Sequence, residues 1–176
     1  MIKKNRIGQI WIETVIYTLI GLSLIGLTLA ILTPKIKEFR DRSLIEETLS
    51  SMNLFDSKIN EILDAPGNRR RIDLALDKGV LSIDSLNNSL RFLLENAKVR
   101  YSEPGVSLEI GRVNVTTMEN GENYDIKLEI FYLHNLSFES KEDYVEFSPV
   151  SIPYKFFIEN KGIIGNNYNI DFSEGE

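Results

Sequence analysis

The chain has 176 residues, of which 43% are hydrophobic and 26% charged, so it can bury one modest core. The formal net charge of −6 and the lack of a basic face argue against a nucleic-acid partner. Because the sequence has no cysteine and only one histidine, His134, disulfides, thiolate zinc sites, thiol nucleophiles and histidine dyads are excluded, and we assign His134 no role.

An uncharged apolar run of 19 residues, Thr14 to Leu32, follows a short basic segment. At about 1.5 Å per residue such a helix nearly crosses a hydrocarbon core of about 30 Å, so we predict a single membrane helix with its membrane part at residues 10–32. The run exceeds the roughly 7 to 15 residues of a signal-peptide core, and no small-x-small site follows it, so we expect no cleavage after it. Basic residues before the run favour a cytoplasmic N-terminus, although others after it weaken the contrast: Lys3, Lys4 and Arg6 precede it, and Lys35, Lys37, Arg40 and Arg42 follow.

The residues at the start of this run resemble the N-terminus of a type IV prepilin. The basic segment KKNRIG, residues 3–8, ends in glycine, and QIWIE, residues 9–13, leads into the apolar run. The resemblance implies a leader peptide of residues 1–8, cleavage between Gly8 and Gln9, and Glu13 as the fifth residue of the mature chain. The glutamine start is similar to that of archaeal pilins. Their commonest pattern has serine as the third mature residue, where this chain has Trp11.

The resemblance also implies that Gln9 and Glu13 act in subunit assembly. A carboxylate deep in a bilayer costs about 2.5–3.5 kcal/mol on insertion scales, so it normally faces a partner or the interface. Cleavage after Gly8 exposes an α-amino group on Gln9 whose ordinary pKa of about 7.7–8.0 leaves it largely cationic at neutral pH. In a bundle of helices this ammonium group can pair with Glu13 of a neighbouring subunit and set the axial register. In the alternative, an uncleaved anchor, Glu13 lies near the headgroups and reaches water.

Beyond the run, apolar residues recur at steps of mostly three and four and predict an amphipathic helix over residues 35–64. Its apolar stripe contains Ile36, Phe39, Ile45, Leu49, Met52, Phe55, Ile59, Ile62 and Leu63, and its polar face contains Lys37, Glu38, Arg40, Asp41, Glu46, Glu47 and Lys58. Thr33 and Pro34 are compatible with a new helix start or with a kink in one helix. A pilin favours the single helix, here residues 9–64, which would be about 84 Å long.

Residues 65–176 are predicted to form a β-rich head domain outside the cell. The turn residues 64–68 end the helix, Asp77-Lys78-Gly79 predicts a hairpin turn, and Asn120-Gly121 predicts a tight one. Alternating or apolar runs predict strands at 72–76, 80–83, 90–95, 99–102, 106–110, 113–117, 124–132, 144–147 and 154–159, with a weaker one within 163–172.

These elements predict an α+β fold in which an antiparallel β-sheet head packs on the amphipathic part of the N-terminal helix. A meander of short strands would cover the apolar stripe and bury one sheet face. The alternative is a β-sandwich that buries its own core and leaves residues 35–64 as a spacer.

The head shows no pattern of catalytic or cofactor-binding residues, so we predict a protein that is not an enzyme and uses no cofactor or metal. The acidic groups are most simply solvated surface: Glu46 and Glu47, and Glu139, Glu142 and Asp143. Three N-glycosylation sequons begin at Asn87, Asn114 and Asn135, all within the predicted extracellular part. Asn114 is equally explained as an ordinary strand residue.

Two hypotheses of different class remain. In the first, the chain is a type IV pilin-like subunit that polymerises with itself through its N-terminal helix, after processing by a prepilin peptidase and with the pilus assembly machinery, into a filament for adhesion or motility. In the second, the chain stays an uncleaved single-pass membrane protein whose β domain binds a ligand or partner. Cleavage after Gly8 discriminates between them.

Overall fold

A single long helix, α1, forms the N-terminal part of the protein. The structure is a computed structural model that describes residues 6–141 and 143–175, with the side chains of residues 6–9 outside the description. Helix α1 extends over Arg6–Ile62 and contains Pro34 in its interior, so the single-helix alternative is confirmed. Its 57 residues give a length of about 86 Å. The chain divides into two compact units, residues 1–39 and residues 40–176.

The helix ends two residues earlier than predicted because a buried asparagine, Asn160, donates a hydrogen bond to its last carbonyl. Asn160 Nδ2 donates to the Ile62 carbonyl oxygen at 2.9 Å, and the Gly67 N–H donates to the Asn160 carbonyl at 2.7 Å. Gly67 has a φ of +82°, which glycine adopts at little cost. These bonds turn the chain from the helix into the first strand.

Most of the predicted apolar stripe is buried in the core of the second unit. Five of its members are buried, namely Ile45, Met52, Phe55, Ile59 and Ile62, and Leu49 and Leu63 pack against them. Ile36 and Phe39 are exposed and belong to the first unit, so the prediction was wrong for these two residues. Periodicity shows which side of a helix is apolar. How far along the helix that side is buried depends on where the head begins.

Asp41 was predicted to lie on the solvated face and is instead buried. Its Oδ2 accepts the backbone N–H of Lys98 at 2.7 Å, and its Oδ1 accepts Lys78 Nζ at 2.8 Å. These two donors replace the water that the carboxylate loses on burial. Asp41 therefore joins the helix to two separate loops of the head.

Within the described residues, ten strands follow the helix and form two sheets. In chain order they are β1 Arg69–Leu76, β2 Val80–Asp84, β3 Ser89–Ala97, β4 Ser107–Ile110, β5 Val113–Asn120, β6 Asn123–Phe131, β7 Asn135–Phe138, β8 Tyr144–Phe147, β9 Val150–Ile164 and β10 Asn167–Glu174. One sheet has the order β1-β9-β10-β7 and the other β4-β5-β6-β3-β2-β8. All pairs are antiparallel except β7 with β10, which is parallel.

This topology corrects four details of the predicted meander. Asp77-Lys78-Gly79 is a crossover between the two sheets and not a hairpin, because β1 pairs with β9 while β2 pairs with β3 and β8. The segment 99–102 is not a strand, although Val99 is buried, and β7 was missed. The tight turn lies one residue later than predicted, since Asn120 pairs with Asn123 and Gly121 has the positive φ.

The predicted α+β fold is confirmed: the helix packs on sheets that are largely antiparallel, within one hydrophobic core. The Phe55 ring lies 5.8 Å from that of Phe156 and 6.4 Å from that of Phe172, on two neighbouring strands. Phe147, from the other sheet, packs edge-on against Phe156 at 4.8 Å. The alternative in which residues 35–64 are a spacer is therefore wrong.

A strained turn after β7 offers a stability test. Glu139 and Ser140 have φ values of +49° and +61°, and Phe138 and Lys141 exchange backbone hydrogen bonds at 2.9 and 3.0 Å. Such a turn favours asparagine followed by glycine. Glu139→Asn with Ser140→Gly should raise the free energy of unfolding by about 1 kcal/mol, measured by urea denaturation. Ser151→Gly in β9, where φ is not positive, is the control and should not stabilise. An unchanged or lower stability of the double variant would contradict the strain argument.

Candidate membrane and assembly segment

The N-terminal half of α1 presents apolar side chains on every side. Its most apolar stretch has a mean hydropathy of 2.4 and none of it is buried, so the helix is long and apolar enough to cross a membrane. The large exposed side chains within residues 10–32 are Ile10, Trp11, Ile12, Val15, Ile16, Tyr17, Leu19, Ile20, Leu22, Leu24, Ile25, Leu27, Leu29, Ile31 and Leu32. Apolar surface of this extent is stable only when lipid or other apolar surface covers it.

The serine and threonine hydroxyl groups of this segment are satisfied by the helix itself. Each donates to the carbonyl oxygen four residues earlier, at 2.7–2.9 Å, in Thr14, Thr18, Ser23, Thr28 and Thr33. Side chains bonded in this way expose few unmet polar atoms. A hydrocarbon environment requires such internal hydrogen bonds, because it offers no water to which the hydroxyl groups could bond.

Glu13 is the one formally charged residue between Arg6 and Lys35. It is exposed and lies one helical turn after Gln9, whose backbone is also helical. Residues 1–5 of the predicted leader and the side chain of Gln9 lie outside the described residues. Gly8, on the N-terminal side of the predicted cleavage site, is a poor helix former. Unwinding the helix at Gly8 therefore costs less free energy than unwinding it at Gln9.

Two glycines leave open space along the apolar segment. A Cβ atom added to Gly21 or Gly26 would meet no heavy atom within 4 Å. Ala30 follows Gly26 by one turn, and small residues at this spacing let the backbones of two membrane helices approach closely. The segment therefore has surface for lipid and for another helix.

The three sequons lie in different environments in the head. Asn87 is exposed in the β2–β3 turn, where its Nδ2 donates to Asp84 Oδ2 at 2.8 Å. Asn114 lies within β5, and Asn135 is the first residue of β7, and both are half-buried. Asn87 is the most accessible of the three amides.

Two further titratable residues of the head, His134 and Glu129, have structural partners. His134 packs edge-on against Tyr168 with ring centres 5.3 Å apart, and burial, followed by the nearby Arg112 guanidinium, lowers the pKa of His134. Glu129 is buried between Arg91 and Lys127 at 2.7 and 2.9 Å. Within residues 6–141 and 143–175, no three His, Asp or Glu side chains are grouped to hold a metal ion.

Sequence reasoning missed the buried Asp171, because its partners are distant in the chain. Asp171 accepts the Ser137 hydroxyl at 2.6 Å and the Ser140 N–H at 2.7 Å. Of the predicted solvated acids, Glu46 is exposed beside Arg42, Glu139 lies in the strained turn, and Glu142 lies outside the described residues. Nothing in the local sequence distinguishes the buried Asp171 from these surface acids.

No family model matches this chain, and neither the curated proteins nor the solved structures give a match.

Proposed function

We propose that this chain is the structural subunit of a type IV pilus-like surface filament. The observation that carries the proposal is Glu13, the one charged residue between Arg6 and Lys35, five residues beyond Gly8 on a helix whose apolar surface is exposed over residues 10–32. The same helix continues into the head, where Phe55 and its neighbours pack in the core. A single element thus presents an apolar segment and carries a folded domain.

In this proposal a peptidase that recognises the basic leader cuts between Gly8 and Gln9. The new ammonium group at Gln9 pairs with Glu13 of a neighbouring subunit, which neutralises both charges inside the bundle of helices. Pairing fixes the axial register, because the apolar contacts between helices are not directional. Gly21 and Gly26 allow neighbouring helices to pack closely. No catalytic step belongs to this function.

Before assembly the subunit lies in the cell membrane with its head outside, and the assembly machinery then moves it into a filament that serves adhesion or motility. The lack of nucleic-acid binding follows from the acidic charge of −6. The sequon at Asn87 is the first candidate for glycosylation, because its side chain is exposed. The resemblance of residues 3–13 to the N-terminus of archaeal prepilins supports this proposal.

The proposal predicts the N-terminus of the protein. In protein extracted from the membranes of its own cells, the mature chain should begin at Gln9, as measured by N-terminal sequencing and intact mass. Replacement of Gly8 by a bulky residue, Gly8→Leu, should leave the leader attached. The control Ile7→Leu, which keeps the glycine, should be processed normally. A chain that retains Met1 to Gly8 would count against the filament and favour the single-pass anchored protein.

A further inference from the structure

Strand β9 has exposed apolar residues at both of its ends. It extends over 15 residues, Val150–Ile164, which at about 3.3 Å per residue separates its ends by about 46 Å. Ile152, near the start, is 75% exposed, and Ile163 and Ile164, at the end, are each 61% exposed. The middle of the strand carries the buried Phe156 and Ile158. The core therefore does not account for the apolar residues at its ends.

The end of β9 belongs to a larger surface, here named the turn-end surface, made of Leu86, Leu133, Ile163, Ile164 and Tyr168. Leu133 is 87% exposed and Leu86 is 74% exposed. Tyr168 lies opposite Ile163 in the β9–β10 ladder, and the ring of His134, next to Leu133, packs on Tyr168.

Three loops that are separate in sequence form the turn-end surface. The backbone N–H of Tyr132 donates to the Asn88 carbonyl and that of Leu136 to Asn88 Oδ1, both at 2.9 Å, which joins two of the loops. The segments 85–90, 131–138 and 162–170 contain no Asp, Glu, Lys or Arg, in a chain of which 26% is charged. Charged residues adjoin these segments: Arg112 donates to the Phe131 carbonyl at 3.4 Å, and the backbone carbonyl of Asp143 accepts the Ser85 N–H.

The start of β9 forms a second apolar surface, here named the strand-start surface, which Lys155 and Glu174 border. Residues 147–154 contain no charged side chain, and residues 148–153 are all exposed. Pro149 and Pro153 flank Val150 and Ile152 and lack the N–H that would pair with another strand. This surface offers apolar side chains rather than an open ladder edge, so it suits contact between side chains.

We propose that the turn-end surface of one head docks on the strand-start surface of a second copy of this chain. Copies of this acidic chain repel each other wherever their acidic surfaces meet, and contact through two surfaces whose central residues carry no charge lowers this cost. Interface cores are depleted of charged residues in the same way. Because the surfaces lie at opposite ends of one strand, the contact is heterologous and extends from copy to copy without closing into a dimer.

This inference rests on the proposed filament, in which the apolar segments already hold the subunits together. A weak contact between heads is then sufficient, because tethering raises the effective concentration of one head near the next. The heads add a second, external set of contacts to those of the helices.

Cross-linking through introduced cysteines tests the contact, since the natural chain has none. The full chain with Ile152→Cys and Ile164→Cys, treated on cells with a short bis-maleimide reagent, should give a ladder of covalent dimers, trimers and larger species on a denaturing gel. Each single variant should remain monomeric. The matched control pairs Ile152→Cys with Leu108→Cys, an exposed residue of β4 outside both surfaces, and should give no ladder. Adding Ile163→Asp to the first pair should abolish the ladder, whereas adding Leu108→Asp should leave it.

Two results would overturn this inference. If the variant with Ile152→Cys and Ile164→Cys stays monomeric, the two surfaces do not touch. If Ile164→Cys alone gives dimers, the turn-end surface meets a second turn-end surface instead. Electron microscopy and the N-terminus of the same samples separate the two proposals: filaments with a cleaved leader but no ladder contradict only the head contact. An intact leader without filaments or a ladder contradicts both.

Discussion

Replacement of Phe55 by alanine should lower the free energy of unfolding by about 3–5 kcal/mol, which is a large part of the about 5–15 kcal/mol that stabilises a typical domain. Phe55 is fully buried, and its ring contacts those of Phe156 and Phe172 on two strands of the four-stranded sheet. Removing the ring leaves a cavity where the helix meets the sheet. A fragment of residues 35–176, which lacks the apolar run and contains the whole second unit, suits the measurement by urea denaturation.

The neighbouring Leu54 provides the control. It lies on the same helix, one residue earlier, and is 45% exposed, so Leu54→Ala should cost less than about 1 kcal/mol. If Phe55→Ala unfolds the fragment completely, Phe55→Leu should give a smaller and measurable loss. Equal effects of Phe55→Ala and Leu54→Ala would mean that the helix does not pack on the sheets.

Glu13→Gln should prevent filament assembly while leaving the subunit in the membrane. The substitution keeps the size of the side chain and removes the charge that the proposed pairing with the Gln9 ammonium requires. An unpaired ammonium group in the helix bundle would carry the desolvation cost of a buried ion, several kcal/mol, at every subunit. Insertion should be unchanged or slightly better, because the variant brings no carboxylate into the bilayer. Electron microscopy of cells, with a membrane fractionation of the subunit, measures both effects.

Glu38→Gln is the matched control for this experiment. It also removes one carboxylate from helix α1, but Glu38 is exposed beyond the apolar run, where it pairs with Lys35 at 2.8 Å. An exposed pair contributes only about 0–1 kcal/mol, so this variant should assemble normally. Normal filaments from Glu13→Gln subunits would contradict the pairing mechanism. Loss of filaments in both Glu13→Gln and Glu38→Gln would show that assembly does not depend specifically on Glu13.

The sequence by itself determined the elements whose signals are local. The length and composition of the uncharged run from Thr14 to Leu32 predict helix, and so do the apolar residues three and four positions apart in the stripe that follows it. Pro66 and Gly67 predict locally that the helix stops near residue 64, whereas its end at Ile62 depends on the distant Asn160. The motif around Gly8 and Glu13, from which the assembly site is proposed, is also local.

Only the tertiary structure decided which strands meet. β1 pairs with β9 and β7 pairs in parallel with β10, and both pairings join segments far apart in the chain. Alternating side chains show that a segment can form a strand with one buried face, but many partners satisfy the same alternation. The choice depends on which arrangement covers the helix and fills one core. Asp41 became buried and the uncharged loops around Leu133 came together for the same reason: their surroundings consist of residues that are distant in sequence.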